Sequence, residues 1–150
     1  MKSPYAKLAM VSGLHLVLMF LLTYVLISSV DHFQPNINRV YMAVLMVSPM
    51  VIIMLVAMGS MFPNMRLNRA LIVGSAGLFL VTFVLARTQI PVGNSQFLRS
   101  MIPHHSSAIL MCEEAAITDP EILRLCDQII RSQRDEIAQM EAMLGGNGAP

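Results

Sequence analysis

Eight side chains in the last third of the chain have the chemistry of soft-metal ligands: Met101, His104, His105, Met111, Cys112, Cys126, Met140 and Met143. Thioethers and thiolates favour Cu(I), and imidazole suits several transition metals. Gln133 and Glu136 stand near them in the pattern and could orient the imidazoles, as the groups behind a metal ligand do. His104 and His105 are adjacent, so on a helix they diverge by about 100° and cannot both enter one hairpin core. Pro103 lacks an N–H, which kinks the helix or starts a new one and frees a carbonyl one turn back. Each residue also has a plainer reading. Met fills gaps in cores, an inward His is held by hydrogen bonds, and Gln133 and Glu136 can form a polar network. For Cys112 and Cys126 three readings stand side by side: a disulfide outside the cytoplasm, thiol ligands, or buried thiols.

The elements that position these residues read as helices. Over 97–117, Leu98, Met101, His105, Ala108, Cys112 and Ala115 recur at steps of three and four. Over 121–144, Ile122, Cys126, Ile129, Gln133, Glu136, Met140 and Met143 do the same. Between them, Thr118-Asp119-Pro120-Glu121 reads as a helix restart, a capping box with Pro in the first turn. Asp127–Arg131 and Arg131–Asp135 are i, i+4 pairs on the opposite face. The spacing predicts an antiparallel hairpin over 95–144, entered through a linker at 88–94 with Pro91 and Gly93 as breakers. Folding it about the turn sets Cys112 beside Cys126, His105 opposite Gln133, and Met101 near Glu136 and Met140. Gly145, Gly146 and Gly148 predict a flexible tail over 145–150. So short a helical pair buries little core, so a homodimer or another helical partner is expected.

The run FLRSMIPHHSSAILMCEEAAITDPEILRLCDQIIRSQRDEIAQMEAML resembles the bacterial domain-of-unknown-function family three hundred and five. Met101-x-x-His104-His105-x-x-Ala108 and Gln133-x-x-Glu136-Ile137-x-x-Met140 carry the resemblance, which covers about residues 95–144. The family has a ferritin-like helical fold and includes a periplasmic copper-binding member. The resemblance implies a four-helix arrangement with Met101, His104, His105 and Met140 as copper ligands, and Met111 and Met143 less directly. This chain carries one helical pair, half of such a bundle.

The rest of the chain is of another kind. Of 150 residues 55% are hydrophobic and 13% charged, 14 are Met and none is Trp; mean hydropathy is +0.63. Soluble domains carry roughly 25% charge. Three stretches, about 8–30, 40–62 and 70–87, predict transmembrane helices; 23 residues rise about 34 Å, enough for a bilayer core of about 30 Å. Gly74 and Gly77 would permit close helix packing in the third. The net charge of +1 hides a split. Residues 1–87 hold six basic side chains against Asp31, a net of +5, and residues 88–150 hold four against eight acids, a net of −4. Lys2, Lys7, Arg66 and Arg69 place the N-terminus and the loop between spans two and three in the cytoplasm. The hairpin is then extracytoplasmic, on the periplasmic side of a bacterial inner membrane.

Within the spans, Met42, Met46, Met50, Met54 and Met58 fall four apart, with Met61 and Met65 following. They read as a packing ridge of flexible side chains, with a thioether relay for Cu(I) as the alternative. His15 is ionisable and intramembrane, which makes it a functional candidate facing the bundle interior. His32 reads as an interfacial, solvated residue.

The expectation is therefore an all-α protein: three transmembrane helices, then an extracytoplasmic hairpin that binds copper, Cu(I) above all, for sequestration, resistance or handover. An alternative is a structural or assembly protein whose hairpin recruits a protein partner without metal; a third is a thiol-redox module. The lipid bilayer is a partner. No basic stripe marks a nucleic-acid binder. An enzyme is not expected: no Glu-x-x-His pair of the di-iron kind occurs in 95–144, and no phosphate loop or nucleophile elbow is present.

Overall fold

The computed structural model describes residues 3–146. It is all-helical: five α-helices, no strand among the described residues. They are α1 (Pro4–Leu22), α2 (Ile37–Ala57), α3 (Met65–Thr88), α4 (Asn94–Glu114) and α5 (Pro120–Gly145), with short 3₁₀ turns at Val30–His32 and Gly59–Met61. The first three are long and apolar enough to cross a membrane. The chain forms two compact units. One comprises residues 1–23 and 38–91, the other residues 24–37 and 92–150. The expected tail lies, from Asn147 on, outside the described residues.

In the first unit the helix ends are set by local chemistry. Ser3 caps α1 by accepting the Ala6 amide, with Pro4 in the first turn. Asn64 caps α3 by accepting Leu67 N–H at 3.1 Å. At the other end of α3, Gln89 adopts the left-handed conformation (φ 56°), which stops the helix before Pro91 is reached. Leu8, Leu55 and Phe62 form the core, with Tyr5, Met54 and Leu71 against them. The Tyr5 hydroxyl donates to Asn68 Oδ1 at 2.9 Å, and the Asn68 amide donates to the Phe62 carbonyl at 2.9 Å. One serine from each helix (Ser12, Ser48 and Ser75) lines a mainly apolar cavity of about 250 Å³.

Three expectations about the spans change. The first was drawn to Val30, but α1 ends at Leu22. Of the eight residues from Thr23 to Val30, Tyr24 bonds to Gln34 and Ser28 to Ser106. The methionine series is not one continuous ridge. Helix α2 stops at Ala57, Met54 packs on the core, and Met42, Met46, Met58, Met61 and Met65 are exposed. A Cβ at Gly74 or Gly77 would meet nothing within 4 Å, so the close packing expected of them is absent in this chain.

In the second unit, residues 24–37 form a strap across α4. Ser106, completely buried on α4, is its anchor. Its hydroxyl accepts the Ser28 amide at 2.7 Å and lies 3.0 Å from Ser28 Oγ and 2.8 Å from His32 Nδ1. Asn36, also buried, donates to the Arg99 carbonyl at 3.1 Å. Arg99 lies four residues before Pro103, so this is the carbonyl that the missing proline N–H leaves free. Gln34 accepts from Arg99 Nη1 at 3.2 Å, and Gln96 accepts the Ile37 amide at 2.9 Å. Tyr24 packs its ring on Phe33 (centroids 4.4 Å apart) and donates to Gln34 O.

The hairpin core differs in part from the stripe read in the sequence. Ile102, Ile109, Ile137 and Met140 are its buried members, with Leu98, Met101, Ile130 and Leu144 against them. Ile102, Ile109 and Ile137 were missed because the 3-and-4 spacing admits two parallel seams one residue apart. The stripe as drawn steps from one to the other. At the restart, Asp119 caps α5 instead of Thr118, accepting from Glu121 and Ile122 amides at 2.8 and 3.2 Å. This puts Pro120 at the first helical position, where its lost N–H costs nothing. Neither Asp127–Arg131 nor Arg131–Asp135 closes; Arg134 instead pairs across the hairpin with Glu113 at 2.7 Å.

Replacing Ser106 by Ala leaves the Ser28 amide and His32 Nδ1 without their partner. We expect a loss of about 1–3 kcal/mol in unfolding free energy, measured by denaturant titration of the hairpin signal. A loss below the lower bound would show that the strap contributes little.

Candidate functional site

The candidate ligands fall on α4 and α5. His105 is buried and fixed at both ring nitrogens. Nδ1 lies 2.9 Å from the Met101 carbonyl, one turn back on its own helix, and Nε2 lies 2.7 Å from Glu136 Oε2. Both ring nitrogens thus face an oxygen acceptor. A metal needs a bare ring nitrogen. Nδ1 is turned into the helix backbone, so Nε2 is the nitrogen that can serve, and Glu136 covers it. The expected partner Gln133 is displaced by Glu136, one turn further along α5.

Glu136 is half-exposed. Ser132 donates to its Oε1 at 2.8 Å. That hydroxyl first, and the His105 ring second, hold its carboxyl below the ordinary value of 4.5, against a partial desolvation that pushes upward. His104, one residue from His105, points outward and is exposed, with its ring in an edge contact 6.0 Å from that of His105. The divergence expected of adjacent residues is what separates them. Met140 is a buried member of the apolar core, and Met101 packs against that core. Met111 and Met143 are exposed. His15 is half-buried on α1, in the other unit.

Cys112 and Cys126 are joined as a disulfide, with Cα atoms 5.3 Å apart across 14 residues. In this form neither sulfur is a free thiol. No group of three or more His, Cys, Asp and Glu side chains converges among the described residues. His32 departs from the expectation of a solvated residue, since its ring is taken up by Ser106. Ser106 itself was missed. Its sequence signal is faint: a small polar residue one position beyond the core seam.

Fold and site together define a helical protein with three membrane-length helices and a disulfide-closed helical hairpin. Residues 84–144 match the family described as Domain of unknown function (DUF305). The chain is also similar to "Uncharacterized protein L153" of Acanthamoeba polyphaga mimivirus, 31% identical over 119 residues that cover 78% of this chain and 76% of the viral protein. The chain belongs to this family of helical proteins. No solved structure matches it.

Two outcomes follow. Reducing the disulfide reopens a loop of 14 residues, which should cost about 3 kcal/mol of hairpin stability; thermal melts with and without reductant measure it. For Glu136 the folded pKa is depressed, so its contribution is present above the ordinary value of 4.5 and is lost as pH falls through the lowered one. The stability advantage of wild type over Glu136→Gln should therefore shrink on acidification below 4.5, and a difference constant with pH would contradict the assignment.

Proposed function

We propose that this protein is a membrane-anchored, extracytoplasmic copper-binding protein that holds Cu(I) for sequestration, resistance or handover. Met101, His104, His105 and Met140 are the ligands, and Met111 and Met143 are auxiliary. Its role is binding, not catalysis. The observation that carries the reading is that Met140, in the core, and Met101, packed against it, lie on the helices that bring His105 to Glu136. Thioether and imidazole are donors that suit Cu(I). The Nδ1 contact of His105 to a backbone carbonyl is the arrangement that fixes the tautomer of a ligating histidine. His105 Nε2 would hold the metal in place of its contact with Glu136, and the carboxylate, freed from that contact, would be placed to orient the ring.

Three spans with Lys7, Arg66 and Arg69 on one side, and Lys2 outside the described residues, support a cytoplasmic N-terminus. The disulfide supports an oxidising compartment for the hairpin, and a bacterial inner membrane is the setting that joins the two. A second reading has its own support. The His105–Glu136 pair, with no larger ligand cluster around it, also suits a polar lock in a hairpin that recruits a protein partner without metal.

Cu(I) titration of the full chain in detergent, with ascorbate as reductant to keep the disulfide closed, separates the two. The copper reading expects His104→Ala/His105→Ala and Met101→Leu/Met140→Leu each to weaken binding at least tenfold, with helicity retained. Equal affinity in wild type and both variants leaves the protein-recruiting reading.

A further inference from the structure

Each of the three membrane-length helices brings one serine to a shared cavity at about its mid-length. Ser12 lies eight residues into α1, Ser48 eleven into α2 and Ser75 ten into α3. At 1.5 Å per residue each sits about 12–20 Å from both ends of its helix. The three line one cavity of about 250 Å³, whose other walls, Leu16, Val47 and Leu78 among them, are apolar.

The hydroxyls are not equivalent. Ser48 Oγ donates to the Val44 carbonyl at 2.7 Å, one turn back on its own helix. That is the ordinary contact for a serine inside a helix, and it uses the one proton the hydroxyl has. Ser12 makes no such contact. Its Oγ is buried, and among the described residues it is the one buried side-chain nitrogen or oxygen without a partner. A buried hydroxyl left unpaired is costly, and at the mid-depth of a bilayer no bulk water is at hand to relieve it. The cavity beside Ser12 is where a partner can stand.

We propose that this cavity binds a small neutral carbonyl compound, its apolar body filling the space and its oxygen accepting from Ser12. The size follows from the volume. An apolar cavity of about 150 Å³ takes benzene, so this one suits a body of about nine or ten heavy atoms. Neutrality follows from the lining, which holds no ionisable side chain, since a charge at that depth would need one. The need for an acceptor follows from Ser12, whose proton is unspent. Water is a poor filling: at about 30 Å³ each some eight molecules would enter, and each needs two to four polar partners. A bilayer lipid carries its oxygens at the interface and only hydrocarbon at mid-depth. Its tail could fill the space but would leave Ser12 unpaired. The inference rests on the three helices spanning a bilayer and not on the copper reading.

The full chain in phosphatidylcholine nanodiscs tests it, with acetophenone as probe and isopropylbenzene as its oxygen-free twin in shape. Discs without protein give the partitioning into lipid, which is subtracted. Saturable binding of acetophenone is expected, with the carbonyl stretch of the bound fraction moved to lower wavenumber. Ser12→Ala should weaken acetophenone about fivefold, the worth of one neutral hydrogen bond. It should also return the carbonyl stretch to its value in lipid and leave isopropylbenzene unchanged. Val47→Phe, which enlarges a buried wall of the cavity, should abolish binding of both probes with unchanged far-ultraviolet circular dichroism. Absence of saturable binding overturns the proposal, as does acetophenone binding that survives Val47→Phe. Equal affinity for the two probes, or acetophenone binding that Ser12→Ala leaves intact, also overturns it and leaves a niche for a lipid tail. None of these outcomes bears on Cu(I), so the two readings fail separately.

Discussion

A hydroxyl shut away from water must find its partners inside the protein, and Ser106 is shut away completely. Leaving such a group unpaired costs about 1–3 kcal/mol. The α4–α5 pair leaves that hydroxyl to partners from outside it. They come from residues 28 and 32, far back in the chain. That requirement draws the strap over α4, and Pro103 adds a second: its helix has a carbonyl without a donor, which Asn36 supplies. The burial of one flank of α4 follows from these two needs.

The same helix shows how one proline divides labour between its sides. Toward the strap, α4 is occupied by polar contacts that hold its position. Toward α5, His105 and Glu136 form an ionic contact at 2.7 Å at the border of the apolar core. A charged pair there is costly to break by removing one member, yet each member has chemistry of its own. The carboxylate is half in water and also accepts from Ser132, while the imidazole is buried and held at both nitrogens.

The sequence was most legible where a single short rule applies. Three long uncharged runs, a Pro-led helix restart and the Cys112–Cys126 spacing each need no tertiary knowledge. Boundaries were less legible. Val25, Leu26 and Ile27 look like the continuation of an apolar helix, yet the helix is capped at Thr23 and Ser28 is bonded to the distant Ser106. The hairpin core was half legible, because Leu98, Cys112, Cys126 and Met140 belong to the true seam, whereas Ala108, Ile129 and Glu136 belong to its neighbour. Periodicity fixes the pitch of a seam; which of two adjacent seams is buried depends on the partner helix. For the same reason His105 was paired with Gln133 on paper and with Glu136 in the structure.

The second compact unit is not contiguous in the chain: it takes residues 24–37 from before the second long helix and the remainder from residue 92 onward. The family match begins at residue 84 and so captures only the later piece. This hairpin is therefore not a portable module. Grafted or expressed by itself, it would expose Ser106 and the Arg99 carbonyl, and it would stand without its own lining. The membrane-length helices and the hairpin have to be inherited together, because the loop between two of those helices is one wall of the hairpin.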